Sequence, residues 1–251
     1  MSDSNKLAIV TGTSSGIGEA VARDFLANAW TVYGIARRHP RLVDSRYAHI
    51  AFDLGDVDGI SETLGSRLGP IVSDAQWRRI ALVNNAAITG PLGPIESMTT
   101  AELMSVFAVN TAAPIWLMGF VLRRAPAETP VRIVNISTGA AKGATAGLTA
   151  YGGSKAALRL AGMTLAAEST KPPEGKPPRD VAVFSYEPGT VDTAMQTQAR
   201  GTSAEKFPWV DLFQNFKASG RLVAASAVTP PIVEFAESDP AERFTEARYG
   251  V

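Results

Sequence analysis

Cysteine is absent from the 251 residues, which excludes disulfides and thiol catalysis and leaves the redox compartment open. Histidine is nearly absent. His39 and His49 are the only two, too few for a histidine-based triad or a multi-histidine site, so no metal centre is expected. Charge of one sign is also lacking, with 24 Lys and Arg against 24 Asp and Glu. Nothing in that balance recommends a nucleic acid or an anionic membrane as partner. No uninterrupted apolar run reaches 18 residues, and the one that follows MSDSNK is too short for a signal core. The expectation is a cytoplasmic protein. What is present is material for a core, 45% apolar against 19% charged. The length suits one large α/β domain over residues 1–251 and is short for two.

The most informative stretch is 131–157, VRIVNISTGAAKGATAGLTAYGGSKAA. An apolar run, a loop of small residues and a proline-free, Ala-rich segment read as a buried strand passing through a loop into a helix. Tyr151 and Lys155, four apart, then share one helical face. An ammonium beside a phenol favours the phenolate and lowers its pKa from about 10 toward the range useful at neutral pH. Such a pair can protonate a carbonyl oxygen.

Residues 7–10 are an apolar strand that runs into TGTSSGIG at 11–18 and an amphipathic segment at 19–28. Strand, glycine-rich turn and helix make a phosphate cradle, although the same glycines also suit an ordinary packed turn. Gly12, Gly16 and Gly18 let the backbone turn tightly and approach a ligand, and free N–H groups at the helix start face an anion. Thr13, Ser14, Ser15 and Ile17 complete the candidate contacts. The second strand, 31–36, is followed by Arg37 and Arg38. Ala36 occupies the place where an acid would bind the adenine-ribose hydroxyls of NAD, whereas arginine accommodates the 2′-phosphate of NADP. The expected cofactor is therefore NADPH/NADP+.

A third strand, 48–52, leads to Asp53 and Leu54, and the Asp53 carboxylate can accept from an adenine amino group. A helix is expected over 56–68 and a fourth strand over 80–83. Asn84, Asn85, Ala86 and Ala87 follow, and two consecutive amides can tie loops together or line a cofactor pocket. The helical pattern over 100–124 contains Pro114, which should kink or split it just after Asn110. Residues 150–167 form the Tyr151 helix, and KPPEGKPPR at 171–179 reads as an exposed loop. A sixth strand, 181–186, ends in Glu187, Pro188 and Gly189. The excursion at about 194–222 interleaves Phe207, Trp209, Phe213 and Phe216 with polar residues. Such aromatics suit a substrate lid, or a staple to the core. The last helix, 226–237, contains Pro230 and Pro231, so its start should fall later, and the final strand should be short.

Alternating strands and helices with a phosphate loop after the first strand argue for an α/β fold, a Rossmann-type doubly wound parallel sheet with helices on both faces. TGTSSGIG at 11–18, NNAA at 84–87, Asn110 in VNTAAP, NIST at 135–138, YGGSK at 151–155 and EPGTVDT at 187–193 occur in that order. In these residues the chain resembles the short-chain dehydrogenase/reductase family over nearly its whole length. EPGTVDTAMQTQAR and FKASGRLV resemble more narrowly its sepiapterin reductase and benzil reductase branch.

The resemblance implies that Tyr151 donates a proton to a carbonyl while nicotinamide delivers hydride. It further implies that Lys155 lowers the tyrosine pKa and holds the nicotinamide ribose, and that Asn110 positions a water linking Lys155 to solvent. Thr193 would contact the carboxamide, with Pro188, Gly189 and Val191 near the ring. The family's polarising hydroxyl, thirteen residues before the tyrosine, corresponds to Thr138, with Ser137 one residue earlier. Adjacent strand residues point to opposite faces, so one of the two serves. NNAA replaces the family's usual NNAG, and a methyl at Ala87 is tolerable unless that residue needs positive φ. The expected substrate is a small apolar or aromatic ketone or diketone, and the expected assembly a homodimer or homotetramer. Rival readings are a non-catalytic NADP-binding regulator, an alcohol dehydrogenase and a pteridine reductase. Retention of the whole proton relay argues against the regulator, and the absence of an evident acidic anchor near the C-terminus argues against the pteridine.

Overall fold

The structure, a computed structural model, describes residues 5–171, 174–175 and 178–250. Its centre is a sheet of seven parallel strands: β1 (Lys6–Thr11), β2 (Thr31–Ala36), β3 (Tyr47–Ala51), β4 (Arg79–Asn84), β5 (Val131–Ile136), β6 (Val181–Glu187) and β7 (Phe244–Arg248). They lie in the order β3-β2-β1-β4-β5-β6-β7. The chain winds outward from β1 in one direction and then returns through β4 in the other. This reversal opens a crevice at the carboxyl ends of β1 and β4, where such sheets bind ligands.

The strands are nearly continuous apolar runs because both faces of the sheet are covered. Leu7, Ile9, Ile80, Leu82 and Ile133 join one buried layer, and Ala8, Val10, Ala81, Val83 and Val134 join the other. The first layer packs against α2 (Gly65–Val72), α4 (Ala113–Arg124) and α5 (Thr149–Thr170), and the second against α1 (Gly16–Ala27) and α8 (Pro230–Glu237). Truncating a fully buried leucine such as Leu82 to alanine should cost about 2–5 kcal/mol. Remote from the crevice, the wholly buried Arg132 on β5 is satisfied by both oxygens of Asp180 at 3.0 and 3.1 Å and by Asp239 at 2.8 Å. Such pairing is what a buried guanidinium requires.

Three helices depart from the sequence pattern for local reasons. The helix expected from residue 56 is delayed because the Asp56 carboxylate accepts from the Gly59 N–H at 2.9 Å, making a turn. A π turn, Ile60–Leu64, then leads into α2. The 100–124 stretch is split as Pro114 predicts: α3 (Thr100–Phe107), a π turn at Ala108–Ala112, then α4. Pro114 falls at the second position of α4, directly after the π turn, and withholds an N–H from the turn before it. By length and composition Thr100–Arg124 could also cross a membrane, with 25 residues and mean hydropathy 1.6. Leu117, Phe120 and Val121 are packed into the core, which accounts for that hydropathy. Pro230 and Pro231 likewise begin α8 after a 3₁₀ turn at Ala225–Val228. Most of the prolines of the 171–179 loop lie outside the described residues.

Candidate active site

A cleft of about 1320 Å³ opens over the carboxyl ends of the strands. At one end the turn between β1 and α1 presents Gly12, Ser14, Ser15, Gly16 and Ile17. Gly12 has φ +77°, and a Cβ there would stand 2.7 Å from the Asn85 amide nitrogen, so this position needs glycine twice over. Ser15 caps α1 in extended geometry without a side-chain bond, leaving the first N–H groups of a twelve-residue helix to an incoming anion. Two expected contacts lie behind this surface. Thr13 is fully buried with its hydroxyl 3.0 Å from that of Tyr47, and a Cβ at Gly18 would stand 2.3 Å from the Gly12 carbonyl oxygen. These two shape the turn and do not line the cleft.

Arg37, Arg38, Asp53 and Leu54 line the adjoining part of the cleft, with Arg37 3.7 Å from Asp53. The two neighbouring asparagines divide the roles foreseen for them. Asn84 is buried and donates to Asn135 Oδ1 at 2.8 Å across the sheet. Asn85 lines the cleft and donates to the Thr11 carbonyl at 2.9 Å. Ala86 and Ala87 follow on the wall. Ala29 is the only non-glycine residue with positive φ among those described, so the methyl at Ala87 meets no backbone objection. Pro188, Gly189, Val191 and Thr193 form the facing wall. A Cβ at Gly16 would lie 3.4 Å from the Thr193 methyl, so this wall closes directly over the turn.

At the centre, α5 brings Tyr151 and Lys155 onto the cleft one turn apart. The Lys155 ammonium is buried and donates to the Ile136 carbonyl at 2.8 Å, and burial lowers its pKa to about 8. Desolvation pushes Tyr151 up to about 12, opposed by a hydrogen bond from Thr138 and reinforced by the Glu187 charge. The sequence pattern predicts a lowering by Lys155, but its ammonium is turned to Ile136 and burial sets the direction, so the phenol keeps its proton at neutral pH. Of the two candidate hydroxyls, Thr138 is the one that acts on the Tyr151 pKa. Ser137 lines the cleft too, but its Oγ is buried without a partner.

Asn110 lies outside the cleft lining, wholly buried in the π turn. Its side chain accepts from the Ile88 N–H at 2.9 Å and donates to the Ile88 carbonyl at 2.8 Å and to Ser154 Oγ at 3.0 Å. Those bonds pin the π turn to the loop after β4 and to α5. The Asn110 carbonyl lacks the usual donor four residues on, because that residue is Pro114.

The far end is roofed by α6 (Ala194–Arg200) and the segment leading to α7 (Val210–Ala218). Phe207 is fully buried with Leu92, Ala199 and Val210, and both Phe207 and Phe213 line the cleft. Trp209 instead faces solvent at 42% exposure. Several residues here have partners far away in the sequence. Gln198 binds Thr89 at 2.8 Å, and Glu187 pairs with Arg248 at 3.4 Å beside Tyr151. Such partners are 61 to 109 residues apart, so no local pattern announces them.

An anion-binding turn, an adenine-side pocket and a tyrosine–lysine–hydroxyl group in one crevice define a nicotinamide-dependent oxidoreductase. The short chain dehydrogenase family profile matches residues 6–204, and the chain belongs to that family. It is 30% identical over 242 residues to a benzil reductase, (S)-benzoin forming, from Bacillus cereus, covering 93% of this chain and 95% of the relative. A benzil reductase of the same description from Bacillus subtilis is 28% identical over 233 residues, covering 92% and 93%. Among solved structures, the KRED1-Pglu enzyme aligns with a TM-score of 0.80 at 24% identity, covering 96% of this chain and all of that one, a likeness of fold. The cleft fits a nicotinamide dinucleotide, because the α1 start, without a side-chain cap, opens onto it beside Ser14, Ser15 and Gly16 and offers a place for its pyrophosphate.

Proposed function

We propose that the protein is an NADPH-dependent carbonyl reductase that converts an apolar or aromatic ketone or diketone to a secondary alcohol. The observation that carries this reading is the Thr138–Tyr151–Lys155 group between the cofactor end of the cleft and the Phe207–Phe213 roof. A bound dihydronicotinamide supplies the hydride that the carbonyl carbon receives. Thr138 and Tyr151 direct their hydroxyls at the carbonyl oxygen, where negative charge develops. Tyr151 gives up its proton to that oxygen as the C–H bond forms, so one hydride and one proton make the alcohol. A phenol held near 12 is protonated at neutral pH, the state a reductase needs at the start of its cycle. With the cofactor bound, Lys155 would hold the nicotinamide ribose and support the phenolate, and the Asn110 carbonyl would position a water for its reprotonation.

The preference for NADPH rests on Arg37 and Arg38 with no acid at Ala36. The apolar substrate class is supported by the aromatic roof and by the benzil reductases among the relatives. A homodimer or homotetramer joined through α4 and α5 is supported by the exposed Met104, Phe107, Ile115, Leu160 and Met163 on α3, α4 and α5, and sizing at micromolar concentration tests it. The functional test is NADPH oxidation with a panel of ketones, α-diketones and sepiapterin. Turnover that Tyr151→Phe lowers by roughly 10²-fold or more, with NADPH binding intact, is expected. Tight NADPH binding without turnover across the panel would favour the regulator instead.

A further inference from the structure

Strand alternation turns every second residue of β6 toward α5. Val181 and Val183 join the layer that packs on α5, whereas Ala182, Phe184 and Tyr186 join the opposite one, so Ser185 and Glu187 point to the α5 side. β7 repeats the pattern one strand further out. Phe244 packs against the α5 layer, and each carboxylate oxygen of Glu246 accepts from Arg159 on α5 at 2.7 Å. Arg248 stands opposite Glu187 in the register and pairs with it at 3.4 Å. Arg159 lies two turns along α5 from Tyr151, on the helix face that also carries Lys155. This side of β6 and β7 is thus a row of charges that ends beside Tyr151.

Glu187 is the member of that row that reaches the site. It lines the cleft with Thr138, Tyr151 and Arg248, and its Oε1 would stand 3.3 Å from a Cβ at Gly139, the residue after Thr138. Its charge is felt at the phenol, where it opposes ionisation. The other charges around Tyr151 are engaged elsewhere. Lys155 donates to the Ile136 carbonyl, Lys142 and Arg159 both bind Glu246, and Asp192 on the facing wall pairs with Lys217 at 2.9 Å and Arg200 at 3.8 Å. Tyr186 and Tyr249 belong to the opposite layer. The Glu187 side chain is only 14% exposed, whereas that of Arg248 is 56% exposed. Water weakens such a half-open pair, so much of the carboxylate's charge is left to act on the buried phenol.

We propose that Glu187 is a positioning residue for proton transfer: its carboxylate keeps the proton on Tyr151 until the carbonyl takes it, and Arg248 limits how strongly it does so. This rests on the carbonyl reductase reading above and deepens it, making the ion pair at the ends of β6 and β7 the device that sets the pH range of the reaction. A carboxylate beside a phenol disfavours the second negative charge that ionisation would create. Removing Glu187 therefore lowers the pH at which Tyr151 ionises, and removing Arg248 raises it.

The test follows Tyr151 in the NADP+ complexes of the unmodified protein, Glu187→Gln and Arg248→Gln, where the positive nicotinamide ring favours the phenolate and brings ionisation into a workable range. Tyrosine labelled with 13C at Cζ reports each phenol by NMR, and the Tyr151 signal is the one missing from Tyr151→Phe. The midpoint is expected to fall by about half a pH unit or more in Glu187→Gln and to rise in Arg248→Gln. The pH at which kcat/KM for benzoin oxidation levels off should move with it in both variants. Loss of packing alone would lower rates without driving the two midpoints apart. Should Glu187→Gln not fold, the rise in Arg248→Gln and a smaller change in Glu187→Asp, which keeps the charge, carry the decision. An unmoved midpoint in Glu187→Gln, or shifts of both variants in one direction, would overturn the role of Glu187 and leave the reductase reading intact. Failure of the unmodified protein to turn over benzoin or any ketone of the panel would remove both.

Discussion

Replacing Lys155 by methionine should change how stability depends on pH, in a direction set by burial. Lys155 is 3% exposed, and burial lowers its pKa from 10.5 to about 8. Between those values the unfolded chain holds the proton and the folded protein has released it. The unfolded state therefore binds more protons, and stability rises with pH through the window. Below about 8 the folded protein must carry a charged ammonium in a dry site, with the Ile136 carbonyl as its hydrogen-bond acceptor. At about 1.4 kcal/mol per pKa unit, the unmodified protein should gain roughly 2–3 kcal/mol relative to Lys155→Met between about pH 7 and pH 10. Loss of the bond to Ile136 shifts the variant by about 1 kcal/mol, but equally at every pH. Tyr151 and Tyr186, both pushed up to about 12 mainly by burial, lose stability above pH 10 in either protein and cancel in the comparison. Urea unfolding at successive pH values, with m-values checked for two-state behaviour, measures the difference. Parallel stability curves for the two proteins would refute the reasoning.

Replacing both Arg37 and Arg38 by alanine should weaken NADPH binding by at least about tenfold while NADH binding barely moves, because a phosphate loses charged donors that a hydroxyl never used. Titration of both cofactors decides it, and equal losses would exclude a 2′-phosphate role. Thr138→Val should lower kcat by roughly 10²-fold, since it removes a donor aimed at the developing oxyanion. Ser137→Ala should leave kcat within a few-fold and stability unchanged or raised, because its hydroxyl is buried without a partner. The opposite ranking would transfer the catalytic role to Ser137. Gly18→Ala should destabilise the protein by about 1–3 kcal/mol. Its Cβ would meet the Gly12 carbonyl at 2.3 Å, and a backbone oxygen cannot step aside. A denaturation midpoint that stays put would show that the turn can widen.

The order of elements and the place of the crevice were legible in the sequence because each depends on neighbours along the chain. The runs at 7–10, 80–83 and 131–136 must be buried on both faces, and a glycine turn between strand and helix offers the free N–H groups of the helix start to an anion. Tyr151 and Lys155 lie one turn apart in any helix. Pro114 and the Pro230–Pro231 pair dictate where helices begin, whatever packs around them. The delayed start at residue 60 was less visible, since it hangs on one carboxylate choosing a turn N–H. The choice between Thr138 and Ser137 was open for a similar reason. Strand alternation says that they diverge, but only the position of α5 says which of them meets the phenol.

Tertiary structure alone decided the properties that arise from distant groups and from exclusion of water. Proximity in sequence predicts that Lys155 lowers the Tyr151 pKa, whereas desolvation in the folded cleft raises it. Thr13 and Gly18 belong to the glycine motif by position, yet they support the turn from behind because Tyr47 and the Gly12 carbonyl already occupy the space beside them. Gln198 found a partner across the cleft and Gln196 did not, although both stand in the same polar helix. The sequence determined the parts and the kind of chemistry, because motifs are local. Which atoms are left unsatisfied at the site, and which charges are costly there, depended on burial, a property of the whole fold.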